Sequence, residues 1–157
     1  MQRFLARLYA AILLGILMPA PFQMAHAAQA KGIDLGLQRA DAAPVRGQVD
    51  ALHILMRNLV DNAIKYTPAG GTVDVQVIGK EGGGVVLCVE DSGPGIPADE
   101  RERVFDRFYR VAGSQAGGSG LGLAIIKAIV ERHGALLTLG ESERLGGLQV
   151  KIEFAAR

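Results

Sequence analysis

Downstream of Asp50 the residues Leu52, Leu55, Leu59 and Ala63 recur at about the 3.6-residue spacing that lines them up on one stripe of a helix. Asn58, Asn62 and Lys65 fall together on another stripe. Asp50 is the expected N-cap of this helix, and Pro68-Ala69-Gly70-Gly71 is expected to end it. Upstream, Gly32 to Gln38 alternates apolar with polar or small residues, which predicts a half-buried strand, and Pro44-Val45-Arg46-Gly47 reads as a second, short extended piece. Thr72 to Ile78 alternates cleanly, Gly84 to Glu90 is more continuously apolar, and Gly79 to Gly83 joins them as a hairpin loop. The stretch from Pro97 to Gly118 is polar, Gly-rich and only locally periodic, so a long mobile loop is expected. Gly120 to His133 returns to helical spacing, with Leu121, Leu123, Ala124, Ile125, Ala128 and Ile129 as its apolar face and Gly134 as its expected C-cap. Leu136 to Gly140 and Leu148 to Phe154 alternate again and predict a closing hairpin through Arg144-Leu145-Gly146-Gly147. The fold class is therefore α/β, an α+β two-layer sandwich. It has a mixed sheet with helices on one face and a long loop between the fourth strand and the last helix.

Composition narrows the function more than the fold. A chain of 157 residues with 49% hydrophobic content can build one domain with a real core but not two. A net charge of +1 and 5% aromatic residues give no footprint for nucleic acid. Cys88 sits inside the apolar run Val85 to Val89, so it reads as a small core residue of a reducing compartment. His26, His53 and His133 lack metal-ligand spacing. At the amino terminus Arg3 and Arg7 precede the apolar run Leu8 to Met18, and Ala25-His26-Ala27 has the small residues of a cleavage site, the three parts of a secretory signal. The preferred division is a signal-like or membrane-touching segment with a linker helix over residues 1–30, and one domain over residues 31–157.

The polar positions carry the candidate chemistry. Two carboxamides one helical turn apart, Asn58 and Asn62, can share a hard cation such as Mg²⁺ or its waters, while Lys65 suits a phosphate and Tyr66 an aromatic ring. Taken alone, this stripe is equally compatible with a solvated face. Asp91-Ser92-Gly93-Pro94-Gly95-Ile96 follows an apolar strand. A carboxylate there can accept from an exocyclic amine, and the glycines let backbone approach a flat ligand, although a plain turn explains the same residues. Gly117-Gly118-Ser119-Gly120-Leu121-Gly122-Leu123 opens a helix, where free N–H groups and the helix dipole favour phosphate. It lacks the Gly-Lys-Ser/Thr of a P-loop, and a lone glycine pattern is weak. In sequence order the three describe a nucleotide held by metal, base and phosphates.

The residues also resemble a known family. Asn58 to Tyr66, Asp91 to Ile96, Phe105-Asp106-Arg107-Phe108-Tyr109-Arg110, and Gly118 to Ile125 look like the N, G1, F and G2 boxes of the ATP-binding catalytic domain of two-component sensor histidine kinases. The boxes occur in order, and the resemblance covers about Gly32 to Phe154. It implies the Bergerat (GHKL) ATP-binding fold, with ATP and Mg²⁺ as ligands and the Pro97 to Gly118 loop as a lid. It further implies that Asn58 and Asn62 hold Mg²⁺, Lys65 meets the phosphates, Tyr66 packs on adenine, and Asp91 accepts from its amine. Gly93, Gly95 and Ile96 would border the base. Phe105 and Phe108 would anchor the lid, Arg107 or Arg110 would approach the γ-phosphate, and Gly118, Ser119, Gly120, Leu121, Gly122 and Leu123 would wrap the triphosphate.

Related ATP-hydrolysing enzymes of this superfamily place a Glu one turn before the Mg²⁺ Asn to activate water. Here that position is Asn58, whose neutral amide is no general base, which suits transfer to an imidazole already carrying a lone pair. The expected function is an ATP-dependent histidine kinase domain, with Asn58, Lys65, Arg107 and Arg110 in catalysis. Its rivals are a non-catalytic ATP·Mg²⁺-binding module or truncated remnant acting through a partner, and an anti-sigma-type serine kinase, which the Phe105 to Arg110 and Gly117 to Ile125 matches disfavour. The family's helical hairpin, with a His followed by Asp or Glu and soon by Pro, is not legible in this sequence: His26, His53 and His133 precede Ala27, Ile54 and Gly134. The acceptor is thus expected on a dimerisation/phosphoacceptor domain or another kinase chain, with a response regulator as an indirect partner. The ATP site is expected to be cytoplasmic, with membrane contact through residues 1–20.

Overall fold

The structure, a computed structural model, describes residues 21–41, 43, 45, 47–111, 113 and 120–156. The expectations for residues 1–20, Pro44, Arg46, Gly117, Gly118 and Ser119 fall outside these. Helix α1 (Pro21–Lys31) leads into strand β1 (Asp34–Ala40), helix α2 (Val49–Tyr66), strands β2 (Thr72–Gly79) and β3 (Val85–Asp91), helix α3 (Gly122–Arg132), and strands β4 (Leu136–Glu141) and β5 (Leu148–Phe154). One five-stranded sheet has the order β1-β2-β3-β5-β4. β1 pairs in parallel with β2 across the α2 crossover, with a bulge between Leu37 and Arg39, and the other neighbours are antiparallel.

The alternation read from sequence sorts the sheet into two faces. Leu35, Leu37, Val73, Val75, Val77, Leu87, Val89, Val150 and Ile152 turn toward the helices and join Leu55, Leu59, Val60, Ala63, Ile126 and Val130 in one core. α1 adds Ala25 and Ala28 to the same cluster, so the three helices share one layer. β3 is buried along its whole length. That explains why it reads as a continuous apolar run, since neighbouring strands and the β4–β5 turn also cover its second face. Cys88 lies there, and burial first, with the Glu90 carboxylate next, pushes its thiol up to about 11, so it stays protonated and unreactive.

Leu55 is 1% exposed and Ile54 beside it is 47% exposed. Leu55→Ala is therefore expected to cost about 2–5 kcal/mol in a urea titration, against a change within about 0.5 kcal/mol for Ile54→Ala.

Several local expectations change. The Pro44 to Gly47 piece is no strand of the sheet among the described residues, so the long loop follows the third strand. α2 starts earlier than expected: Gln48 is its N-cap and Asp50 lies in the first turn, where its charge still favours the helix dipole. His133, not Gly134, closes α3, and Gly134 follows with φ 62°. The loop after β3 carries two short 3₁₀ turns, Ala98–Glu100 and Arg103–Phe105.

Candidate functional site

The C-terminal end of α2, the end of β3 and the start of the long loop enclose a cleft of about 620 Å³ over the core residues Leu59, Val89, Ile126 and Val150. Asn62, Lys65 and Tyr66 line it from α2, Asp91, Gly95 and Ile96 from the β3 end, Val104 and Arg110 from the loop, and Leu123 from α3. A smaller cleft of about 230 Å³ adjoins it, lined by Asn58, Asp61, Asn62, Gly120 and Gly122. Asn62, Lys65, Tyr66 and Leu123 border both spaces. Residues from three separated sequence stretches thus meet on one concave, mostly apolar surface with polar groups along its rim, the usual make-up of a small-molecule site.

The helix end that presents Lys65 and Tyr66 is held in place. Lys31 Nζ, at the end of α1, donates to Ile64 O at 2.8 Å and Lys65 O at 2.7 Å, and the buried Thr67 hydroxyl donates to Ala63 O at 2.6 Å. The two Lys31 bonds satisfy carbonyls that a helix C-terminus would otherwise leave open, the ammonium matches the dipole there, and the Thr67 hydroxyl adds a second donor to Ala63 O, which already accepts from the Thr67 N–H. Lys65 Nζ stands 5.2 Å from the Tyr66 ring centroid. Burial, and then the neighbouring Arg110, hold the Lys65 ammonium below its usual pKa. Two cations brought together in a cleft favour a polyanion.

Asn58 Nδ2 donates to Ile54 O at 2.8 Å, which ties the amide to its own helix. Asn62 packs against the first turn of α3, where a Cβ on Gly122 would lie 2.9 Å from Asn62 Oδ1. Gly122 is therefore a close-approach glycine that lets α2 and the opening of α3 meet at the carboxamide. Among the described residues no group of three or more His, Cys, Asp or Glu side chains could hold a metal.

Asp91 is 4% exposed at the end of β3. Its Oδ1 accepts from Gly93 N–H at 2.9 Å and Leu148 N–H at 3.1 Å, and among the described residues Oδ2 takes no hydrogen bond. Ser92 fixes the turn that follows, since its Oγ accepts from Thr72 N–H at 2.8 Å. Burial pushes the Asp91 carboxyl above its ordinary pKa, against the pull of the two N–H donors. The sign of the consequence differs between folding and binding. A raised carboxyl favours folding below the ordinary carboxylate range, a contribution lost as pH rises through the raised value. An amine donor, by contrast, needs the ionised form. If Asp91 reads an adenine amine, as the family resemblance implies, affinity for an adenine nucleotide is expected to fall on acidification from neutral pH, starting above the range where an ordinary aspartate titrates, and calorimetric titration across that range checks it.

The long loop is placed differently from expectation. Phe108 is 70% exposed, with φ 65° and its N–H donating to Gly120 O at 3.1 Å, so it is no anchor. Val104, 3% exposed, takes that role under the loop. Phe105 is half-buried, with Lys127 Nζ 5.8 Å from its ring centroid. Arg110 lines the cleft, whereas Arg107 is exposed outside both spaces. Tyr109 borders both and donates from its hydroxyl to Glu100 at 3.0 Å, with Arg103 over its ring. Sequence reading missed Lys31, Val104, Tyr109 and Leu148. Tyr109 lay within a motif already singled out, while the other three act through contacts far along the chain. None of the histidines lines either cleft. His133 is taken up in packing: its Nε2 accepts from Gln48 N–H at 3.2 Å, and its Nδ1 is 2.7 Å from Ile129 O.

Comparison with known proteins places this arrangement. Residues 47–157 match the family described as histidine kinase-, DNA gyrase B-, and HSP90-like ATPase. The sensor protein QseC of Escherichia coli (strain K12) is 38% identical over 130 residues, 82% of this chain and 28% of that protein. A solved mycobacterial sensor histidine kinase MprB superposes with a TM-score of 0.74 at 33% identity, covering 87% of this chain and 92% of that one. Full-length ShkA, solved in complex with AMPPNP, does so with a TM-score of 0.71 at 29% identity, covering 87% of this chain and 29% of that one. The chain therefore spans about 28% of the length of the curated relative.

Proposed function

This chain belongs to the histidine kinase-, DNA gyrase B-, and HSP90-like ATPase family, and from that premise we propose that its cleft binds ATP and serves as the catalytic half of a sensor histidine kinase. The observation that carries the reading is the convergence of Asn62, Lys65, Tyr66, Asp91 and Arg110 on one cleft. Each supports a different part of the ligand. Asp91 Oδ2 accepts from the adenine amine, and Tyr66 flanks the base. Lys65 and Arg110 draw the phosphates toward the α2 side and neutralise charge there. The Asn58 and Asn62 carboxamides fit Mg²⁺ because both are half-buried oxygen donors one turn apart beside these cations, with the Asn58 amide nitrogen already committed to its own helix. Bound there, the metal would supply further neutralisation of phosphate charge.

For transfer, the chain's own residues orient and neutralise, and neither carboxamide can take a proton from water. That favours an acceptor with its own lone pair. His26, His53 and His133 all lie away from the cleft, so the acceptor histidine belongs to a dimerisation/phosphoacceptor domain or another kinase chain. ShkA in its AMPPNP complex supports the nucleotide part of this reading by similarity. A response regulator follows one step later. No helix among the described residues is long and apolar enough to cross a membrane. The cytoplasmic placement of the proposed ATP site rests on the need for ATP.

The deciding experiment is Mg²⁺-dependent ATP binding by titration calorimetry, followed by γ-phosphate transfer to an isolated phosphoacceptor hairpin from a sensor kinase. Binding with transfer is expected. Binding without transfer would favour a nucleotide-sensing module, and no binding would overturn the reading.

A further inference from the structure

The face of the sheet turned away from the helices carries a cluster that the reading above does not use. Asp74 and Glu90 are directly opposed across β2 and β3, and they are 3% and 5% exposed. Like charges so placed oppose the pairing unless a cation lies between them. Arg144 supplies it, with one guanidinium nitrogen donating to Asp74 Oδ2 at 2.6 Å and Glu90 Oε2 at 3.1 Å. Glu90 Oε1 also accepts from the Ser142 hydroxyl at 2.9 Å and Gln149 Nε2 at 3.2 Å. Burial would raise the Glu90 carboxyl, but the bonds from Ser142, Arg144 and Gln149 outweigh it and hold the group below its ordinary value.

Arg144 and Ser142 belong to the β4–β5 turn, and the far end of that turn reaches the other side of the same strand. Leu148 N–H is one of the two donors on Asp91 Oδ1. Gly147 lies so close that a Cβ there would stand 2.3 Å from Asp91 O. Consecutive residues of β3 are thus gripped from opposite faces: Glu90 by Ser142 and Arg144, Asp91 by Leu148. We infer that Arg144 is a positioning residue for base recognition, pinning the β4–β5 turn to the Asp74–Glu90 pair so that Leu148 N–H holds Asp91 with its second oxygen free to read the adenine amine. This inference rests on the adenine role of Asp91.

The test compares affinities for ADP and GDP in the full chain by titration calorimetry. For Arg144→Ala the expected result is a loss of ADP affinity of about tenfold, the order of one misaligned hydrogen bond, with GDP affinity little changed, so the adenine preference collapses. Arg144→Lys should rescue it, because a single nitrogen makes both contacts. Arg144→Ala could also unfold the turn through the two uncompensated carboxylates. The double variant Arg144→Ala/Asp74→Asn removes that repulsion and should restore the thermal midpoint while leaving the preference lost. A wild-type ADP:GDP ratio in the folded double variant would overturn the inference and leave the ATP reading intact. Failure of the unmodified chain to bind ADP would overturn both.

Discussion

Asn62→Ala is expected to abolish Mg²⁺-dependent ATP binding, lowering affinity by at least about 100-fold, the scale reached when a metal site loses a ligand or its support. The residue borders both clefts, and its carboxamide seats the first turn of α3 through the space left by Gly122. One truncation therefore removes a carboxamide proposed to hold Mg²⁺ and the contact that seats the opening of α3. Folding should not suffer in step. Asn62 is only half-buried on a helix, and Ala is the better helix former, so the urea midpoint should hold or rise. That separation makes the variant informative. Titration with ATP in Mg²⁺ and again in chelator reads the metal-dependent part directly, and an unchanged difference between the two would sink the assignment of the α2 stripe.

Asp91→Asn is the second large effect. The amide keeps the volume, and its oxygen can still accept from Gly93 and Leu148 N–H, so the turn survives. What then faces the base is an NH₂ group, a donor set against the donor of the adenine amine. A buried mismatched polar pair costs about 2–3 kcal/mol, which corresponds to a loss of roughly 30- to 150-fold in ATP affinity. Guanine nucleotides, which present at that edge a carbonyl able to accept from the NH₂, should gain affinity. Asp91→Ala is a different experiment, because it orphans two backbone N–H groups near the core and should lower stability as well. Equal loss for adenine and guanine nucleotides in Asp91→Asn would mean that the carboxylate shapes the turn and does not read the base.

The residues that were legible in sequence are those whose role depends on near neighbours. The Asn58, Asn62 and Lys65 stripe follows from helical periodicity alone, and α2 presents it as expected. The two-residue alternation of Thr72 to Ile78 likewise assigned Val73, Val75 and Val77 to the core. The misreadings concern features decided at a distance. Nothing in that alternation marks Asp74, on its polar face, as buried; Gln38 and, 70 residues on, Arg144 both bond to it. Lys31 gives no sign that it caps a helix ending at Tyr66. The family resemblance implied Phe108 as an anchor of the loop, but it has a positive φ, bonds to Gly120 through its N–H and is exposed, and Val104 is buried under the loop instead. Gln48 displaced Asp50 as cap because the entry to α2 is set partly by His133, which accepts from the Gln48 N–H across 85 residues.

The parallel pairing of β1 with β2 means that the cooperative unit begins before the region of family similarity, which starts at residue 47. A fragment trimmed to that boundary would shed Leu35 and Leu37 from the core and both carbonyl contacts of Lys31. It would also bare one whole side of β2, a row of unpaired N–H and C=O groups that invites another chain to pair there. Solubility and shelf life of trimmed fragments would then report on β1 rather than on the catalytic surface, and expression boundaries are better drawn upstream of α1.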